Sequence, residues 1–334
     1  MDRTAIRDLE STNDESARTR PPGRASPKLR TREADVEPFV NLSELTEIEL
    51  LILRRMREYT IGEHHSVFHG TGFNYVGLRE WQPGDRTSQV DWAQSSLTNF
   101  SPLIVRDFEQ PSTATVVAVA DGSLSTRCGI DGVPIAAAIA RAIGTIGMSA
   151  VFFQDMFGLI TFDARFEQLA AIRPRIGKNQ VIHCLEAYQF QKGLLELKHA
   201  DSLSMTLAGF MRKTSMVPVI SDFLFDNPGD VLKELGQVNS AHDVFIVLID
   251  SAFAFELPPI SAGWIEAFDV ETGQARVMSR GSMRALSKKT RAWQDDVATQ
   301  AKEYGMDVLR IGVDEQQTAI AMSEFIAERR LRKV

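Results

Sequence analysis

The hydrophobic pattern is clearest at residues 115–120, a run of six apolar or β-branched residues that ends abruptly at Asp121. An uninterrupted run of this kind is typical of a strand buried on both faces, because both sides of the strand then need apolar side chains. Residues 217–220 and 244–249 have the same character. Apolar residues recur at helical spacing between these runs, as in 135–146. The alternation predicts an α/β fold with a doubly wound, mainly parallel, Rossmann-like sheet.

The same alternation extends to both ends of the chain. The first helix is predicted over residues 42–59, with Ser43 as its expected N-terminal cap. Two pairs of strands are expected to form hairpins, 157–162 with 166–172 and 264–270 with 275–278. The remaining predicted elements are helices at 179–188, 203–212, 230–235, 283–304 and 315–329 and a strand at 307–311.

Composition divides the chain into three parts. Residues 1–38 mix both charge signs with Ser, Thr and Pro, which is typical of a disordered tail. Residues 60–107 are rich in Gly, His, aromatic and charged residues with little periodicity, which predicts a small, irregular β-containing appendage. We therefore expect the N-terminal helix and appendage within 39–112 and the α/β domain within 113–334.

Charge and cysteine content limit the classes of partner and compartment. The formal net charge of -7 over 334 residues argues against nucleic acid and anionic membranes, because phosphate binding needs concentrated Lys and Arg. The two cysteines, Cys128 and Cys184, are too few for a disulfide framework and favour a reducing compartment. No signal peptide is seen at the N-terminus, and we expect no stretch long and apolar enough to span a bilayer. These features predict a cytoplasmic protein without membrane insertion.

Polar side chains follow two of the predicted buried strands. Asp121, Ser123 and Ser125 follow the first strand, and Asp222 follows the strand at 217–220. Because the carboxyl ends of parallel strands meet at one edge of a sheet, these oxygens are expected to lie close together. Carboxylate and hydroxyl oxygens suit a hard cation, so the sequence predicts a site for Mg2+, with Mn2+ or Ca2+ as alternatives.

This spacing resembles a known metal site. Asp121-x-Ser123-x-Ser125 is similar to the opening of the metal-ion-dependent adhesion site (MIDAS) of von Willebrand factor A domains, and Asp222 falls where that family places a later metal-loop aspartate. The family usually supplies a Thr from an intermediate loop, and the nearest counterparts here are Asp201 and Ser202. The resemblance implies that these residues hold the cation.

The segment before the domain carries a second resemblance. The stretches 70–73 (GTGF), 78–85 (LREWQPGD) and 90–92 (VDW) resemble the signature of domain-of-unknown-function family 58. Where that family usually has arginines, this chain has Ser88 and Leu97, so the role of those arginines is not transferred. The resemblance implies a cytoplasmic or membrane-linked bacterial protein that acts with a MoxR-type AAA+ ATPase in the assembly, maturation or metal loading of a client protein.

Four residues of the signature are candidates for partner binding: Arg79, Asp85, Asp91 and Trp92. The structural interpretation, which we favour, is that Arg79 pairs with an acid and that the tryptophans pack the appendage onto the sheet. In that case Asp85 and Asp91 hydrogen-bond to local backbone.

The residues support three hypotheses of function. The first is a non-enzymatic, cation-dependent module for binding a protein partner. The second is a metal-assisted hydrolase that uses the same carboxylates to activate water. The third is a scaffold whose metal site is vestigial. The sequence contains neither a phosphate-binding GxxxxGK[ST] loop nor a GxSxG nucleophile elbow, which argues against ATP binding and a serine hydrolase.

Overall fold

The computed structural model describes most of the chain. The predicted disordered tail lies outside the described residues, apart from Pro38. The described residues are 38–61, 69–70, 74–83, 85, 87–109, 113–127, 129–130, 133–163, 166, 168–197, 202–252, 264–269, 274–312 and 315–332.

Helices and strands alternate along the described residues as the hydrophobic pattern predicts. The helices are α1 (Leu42–Ile61), α2 (Trp92–Leu97), α3 (Ile135–Phe152), α4 (Lys178–Phe190), α5 (Leu203–Phe210), α6 (Pro228–Asn239), α7 (Arg280–Glu303) and α8 (Glu315–Arg332). The strands are β1 (His69–Gly70), β2 (Asn74–Glu80), β3 (Ile104–Glu109), β4 (Thr115–Asp121), β5 (Gly129–Ile130), β6 (Val133–Pro134), β7 (Met156–Phe162), β8 (Leu169–Arg175), β9 (Leu195–Glu196), β10 (Met216–Ser221), β11 (Asp243–Ile249), β12 (Trp264–Asp269), β13 (Gln274–Ser279) and β14 (Asp307–Ile311).

The main sheet has seven strands in the order β14-β11-β10-β4-β7-β8-β9. The five strands from β14 to β7 are parallel, and β8 and β9 extend the sheet antiparallel. After β4 the chain adds β7, β8 and β9 on one side, and it then returns to add β10, β11 and β14 on the other. The carboxyl ends of β4 and β10 therefore form the switch point of the sheet, where α/β proteins of this type bind ligands.

Both faces of the sheet are covered by helices, as a doubly wound fold requires. Alternate residues of β4 serve opposite faces: Val116, Ala118 and Ala120 belong to the core beneath α1, α3, α4 and α8. Val117 and Val119 belong to the core beneath α5, α6 and α7. This two-sided burial confirms the interpretation of 115–120 as a strand buried on both faces.

Helix α3 is long and apolar enough to cross a membrane when only its length and composition are considered, with a mean hydropathy of 1.7 over 18 residues. The expectation that no stretch reaches this apolarity is therefore wrong. In the fold, 78% of this helix is buried, because it packs against α1, α4 and α8. Packing in the core accounts for its composition.

The described residues of the predicted appendage form a small three-stranded sheet and a short helix. Strand β3 lies in the middle of a three-stranded antiparallel sheet, with β1 and β2 on either side. The short helix α2 lies beside it, since the amide of Asp91 donates to the carbonyl of Ile104 over 2.8 Å. The hairpin of β12 and β13 also forms as predicted.

The cap of α1 differs from the prediction. The helix begins at Leu42, and the side-chain oxygen of Asn41 accepts a hydrogen bond from the amide of Glu44 over 2.9 Å. The carboxylate of Glu44 accepts one in return from the amide of Asn41 over 2.8 Å. This reciprocal pair is a capping box, so Asn41 is the cap and Ser43 lies within the first turn.

Replacing Asn41 with Ala should lower the free energy of unfolding by about 1 kcal/mol, because the first turn then loses its side-chain acceptor. The matched control is Ser43→Ala, which should change it by less than about 0.5 kcal/mol because Ser43 is exposed and is not the cap. Urea unfolding measures both values. A larger effect of Ser43→Ala than of Asn41→Ala would contradict this assignment of the cap.

Candidate functional site

Asp121 is the last residue of β4 and is almost completely buried at the switch point. Its Oδ1 accepts a hydrogen bond from the amide of Ser123 over 2.9 Å, which turns the chain sharply at the end of the strand. Its Oδ2 accepts one from the hydroxyl of Ser221 over 2.7 Å. The carboxyl is therefore held in one orientation by both the β4 loop and the end of β10.

The two serines after Asp121 lie together, as their spacing predicts. The hydroxyl oxygens of Ser123 and Ser125 are 3.1 Å apart. The hydroxyl of Thr126 donates to the carbonyl of Ser123 over 2.7 Å, which stabilises the 3₁₀ turn at 124–127. The turn presents two hydroxyl oxygens beside a buried carboxyl.

Asp222 follows β10 directly and is also buried. Its Oδ1 accepts a hydrogen bond from the amide of Leu224 over 3.2 Å. Between them, Phe223 has a φ of 55°, a left-handed conformation that is unusual for a bulky residue. The hydroxyl of Ser221 accepts from the amide of Phe223 over 2.9 Å, so the strained turn is tied to the same hydroxyl that contacts Asp121.

Burial dominates the electrostatics of both carboxyls. Desolvation and, after it, the nearby charge of Asp121 together raise the pKa of Asp222 to about 7. Desolvation likewise raises the pKa of Asp121, while hydrogen bonds from Ser123 and Ser221 act in the opposite direction. Among the described residues, no ion pair joins a Lys or Arg to either carboxyl. Buried charges in proteins are normally paired or bound to metals, so this pair favours a cation.

A set of contacts that holds the loop after β4 in place was not predicted from the sequence. The hydroxyl of Tyr188, at the end of α4, donates to the carbonyl of Asp121 over 2.8 Å. The guanidinium of Arg127 donates to the carbonyls of Tyr188 and Gln189 over 2.9 and 3.1 Å. It also lies 4.9 Å from the ring centroid of Phe39. These contacts fix the loop against α4 and the residues before α1.

The candidate ligands from the intermediate loop are not brought into this cluster by any described contact. Asp201 lies outside the described residues. Ser202 is the cap of α5, where its hydroxyl accepts from the amide of Met205 over 3.2 Å and lies 2.9 Å from that of Ser204. The described hydrogen bonds of Ser202 all stay within its own helix, so capping accounts for this residue.

The donor set that remains is made of oxygen atoms. In the described part of the chain, no three His, Cys, Asp or Glu side chains form a group that could hold a metal ion. A cation at the switch point would therefore rely on the carboxyls of Asp121 and Asp222, serine hydroxyls and water. This set suits Mg2+, which usually keeps several waters and binds one or two carboxylates.

Three of the four appendage candidates have structural partners. Arg79 forms two hydrogen bonds of 2.7 Å with the carboxylate of Asp85, which confirms the expected pairing with an acid. These bonds lower the pKa of Asp85 to about 2. Asp91 caps α2 and accepts a hydrogen bond from Arg106 over 2.9 Å, which lowers its pKa.

Trp92 does not behave as a packing anchor. Its side chain is 59% exposed at the first position of α2, and Trp81 is 38% exposed. The expectation that the tryptophans pack the appendage onto the sheet is therefore wrong for Trp92. Partner contact stays a prediction for this residue.

Comparison with solved structures gives weak likenesses. The protein BatB from Bacteroides thetaiotaomicron matches 66% of this chain and 100% of its own length with a TM-score of 0.37 and 14% identity. An aerotolerance-related membrane protein from Bacteroides fragilis matches the same shares with a TM-score of 0.37 and 15% identity. These scores are too low to carry an argument about this protein.

Comparison of sequences identifies related proteins and a family. Uncharacterised proteins of Mycobacterium bovis and Mycobacterium tuberculosis are 23% identical over 300 residues, which cover 89% of this chain and 92% of theirs. The model of the family described as protein of unknown function DUF58 matches residues 77–299, from the appendage to the end of α7. Because the match spans more than half of the sequence, the chain belongs to the DUF58 family.

Proposed function

We propose that this protein is a von Willebrand factor A-like binding module that holds a divalent cation at the switch point and uses it to bind a protein partner. One observation carries the proposal: Asp121 and Asp222 are buried close together, and no Lys or Arg among the described residues pairs with them. A bound cation would supply the missing positive charge.

Mg2+ is the cation we favour, with Mn2+ or Ca2+ as alternatives. Asp121, Asp222, Ser123 and Ser125 would hold it, directly or through water. The cation supplies positive charge that is open to an acidic group of the partner. The protein's own part is to orient the oxygens: Ser221 holds Asp121, and the amide of Leu224 holds Asp222.

Apolar side chains beside the site support a protein partner. Leu124 follows Ser123 directly and is 59% exposed, and Leu224 lies two residues after Asp222 and is 36% exposed. Each leucine stands on a loop that also carries a candidate ligand. Exposed apolar residues around a charged centre are typical of protein-binding surfaces, where apolar contact adds affinity to a specific polar bond.

The partner in this proposal comes from the resemblance to domain-of-unknown-function family 58. We expect a MoxR-type AAA+ ATPase to bind the module, and we expect the pair to act in the assembly, maturation or metal loading of a client protein. In this proposal the chain itself is not an enzyme and acts as an adaptor. Ser202 is left out of the ligand set because it caps α5, and Asp201, which lies outside the described residues, stays a predicted ligand.

A metal-assisted hydrolase is the second candidate. It is favoured by the pKa of about 7 for Asp222, since a carboxyl that titrates near neutral pH suits general acid–base catalysis. Hydrolysis of a phosphoester that is lost in Asp222→Asn would support this candidate over the binding module.

Titration of Mg2+ into the purified protein should show saturable heat of binding and a higher melting temperature, because ligand bound only to the folded state stabilises it. Asp121→Ala should abolish both effects. Asp226→Ala is the matched control, because Asp226 is an exposed acid on the same loop as Asp222. Equal Mg2+ binding by the wild-type protein and Asp121→Ala would contradict the site, and no Mg2+ binding by the wild-type protein would favour a vestigial one.

Mg2+ affinity should rise with pH up to about 7 and level off above about 8, because the ion competes with the proton on Asp222, whose pKa is about 7. Without metal, stability should fall as pH rises from about 4 to about 7. In that window the folded protein binds more protons than the unfolded chain, whose carboxyl titrates near 3.8. Calorimetry and urea unfolding across this range check both slopes, and Asp222→Asn should flatten them. A Mg2+ affinity that stays constant from pH 6 to 8 would count against Asp222 as a ligand.

Leu124→Ser should weaken binding of the MoxR-type ATPase from the same organism while Mg2+ affinity stays unchanged, since the side chain contributes only apolar contact. Binding of the purified ATPase to the surface-immobilised protein in Mg2+ buffer measures the affinity for the ATPase, and calorimetric titration measures the affinity for Mg2+. Leu50→Ser on α1 is the control, because Leu50 is 49% exposed and lies on a helix outside the site. If Asp121→Ala and Leu124→Ser both bind the ATPase as the wild-type protein does, the switch point is not the contact surface.

A further inference from the structure

A glutamine on α7 is buried against the Asp222 side of the site. Gln294 is 2% exposed and lies among strand ends rather than at the surface. Its Nε2 donates to the carbonyl of Asp222 over 3.0 Å and to the carbonyl of Ile249, the last residue of β11, over 2.8 Å. It also lies 3.3 Å from the hydroxyl oxygen of Ser251. One amide group therefore joins the ends of β10 and β11.

The chemistry of these partners determines the direction of the hydrogen bonds. Both carbonyls are acceptors only, so the amide nitrogen of Gln294, and not its oxygen, must face them. Because Nε2 has two hydrogens and three acceptors, one hydrogen is shared with the more distant hydroxyl of Ser251, which accepts it. The hydrogen of Ser251 is then available to the Asp222 carboxyl, with which Ser251 also hydrogen-bonds. The chain of bonds runs from Gln294 through Ser251 to Asp222.

Trp293, the residue before Gln294, adds a further hydrogen bond between α7 and the loop after β10. The indole nitrogen of Trp293 donates to the carbonyl of Phe223 over 2.8 Å. Helix α7 thus binds the main chain of two successive residues of the loop after β10, one of which has the strained φ of 55°. Without α7, the carbonyls of Asp222 and Ile249 would be buried without these donors.

We propose that Gln294 is a positioning residue for the cation site, which acts through Ser251 and the main chain of Asp222 to hold the Asp222 carboxyl ready for the ion. This inference rests on the proposed function. Gln294 does not touch the ion. Its effect is to keep the hydroxyl of Ser251 donating toward the carboxylate and to keep the loop after β10 in its strained turn. Residues that hold a metal ligand through hydrogen bonds, without touching the metal, usually change metal affinity strongly when they are removed.

The test is calorimetric titration of Mg2+ into the wild-type protein and its variants, each as the full chain, at one pH and at a temperature well below each melting point. Gln294→Met keeps the length of the side chain but removes its donors, and it should weaken Mg2+ binding by about 10-fold to 100-fold. Ser251→Ala should weaken it too. The double variant should be weaker by less than the product of the two single effects, because both residues act through one chain of bonds.

Gln300→Met is the matched control. Gln300 lies on the same helix, is half-buried and hydrogen-bonds to Asp296 rather than to the loop after β10, so its replacement should leave Mg2+ affinity unchanged. A merely structural role of Gln294 would lower the melting temperature of the variant but leave the Mg2+ affinity of the folded protein as it is.

Each outcome is informative. Wild-type affinity in Gln294→Met, or single effects that multiply fully in the double variant, would overturn the inference while the cation site stands. If Gln294→Met does not fold, unchanged affinity in Ser251→Ala overturns it. If the wild-type protein binds no Mg2+, the proposed function fails and this inference fails with it.

Discussion

Two carboxyl groups removed from water at the ends of neighbouring parallel strands constrain the rest of this structure. Asp121 and Asp222 lie where β4 and β10 end, on either side of the switch point, and burial raises the pKa of both. A buried carboxylate without a positive partner is unfavourable, so the surrounding hydrogen bonds or a cation must offset the cost. The hydrogen-bonding residues around the site serve this requirement.

Those residues come from elements far apart in the chain. Ser221 joins the two loops, Tyr188 holds the main chain of Asp121 from α4, and Gln294 holds that of Asp222 from α7. Two helices on opposite faces of the sheet therefore each fix one side of the site. A site braced from both faces is suited to holding oxygen atoms at the positions that a small cation requires. Leu124 and Leu224 are exposed at the same edge, where the proposed protein partner would contact them.

Much of the fold could be predicted from the sequence because its strongest signals are local. The run at 115–120 and the strands at 217–220 and 244–249 are buried on both faces, and their order implied a parallel sheet whose polar ends converge. The convergence of Asp121 and Asp222 follows from that topology alone. Gln294 and its contact with Asp222 could not be predicted, since 72 residues separate them and a buried glutamine in a helical pattern looks like a polar surface residue.

The errors have physical causes as well. Ser43 and Asn41 are both good caps, and only the backbone of the first turn shows which amides need an acceptor. Trp92 was expected to anchor the appendage, but its side chain is 59% exposed. The sequence of a short segment without periodicity does not show whether a tryptophan packs inward or faces solvent. Asp201 and Ser202, which were chosen by analogy with a loop, stay predictions: Asp201 lies outside the described residues, and the hydroxyl of Ser202 caps α5.

The central claim is that a cation lies between Asp121 and Asp222. A crystal of the protein soaked in Mn2+, with data collected above the manganese absorption edge, tests it most directly. We expect an anomalous peak at the switch point, in contact with at least one of the two carboxyls and with the hydroxyl of Ser123 or Ser125. An empty switch point, with Asp121 still bound to Ser221 and the manganese absent or elsewhere, would contradict it.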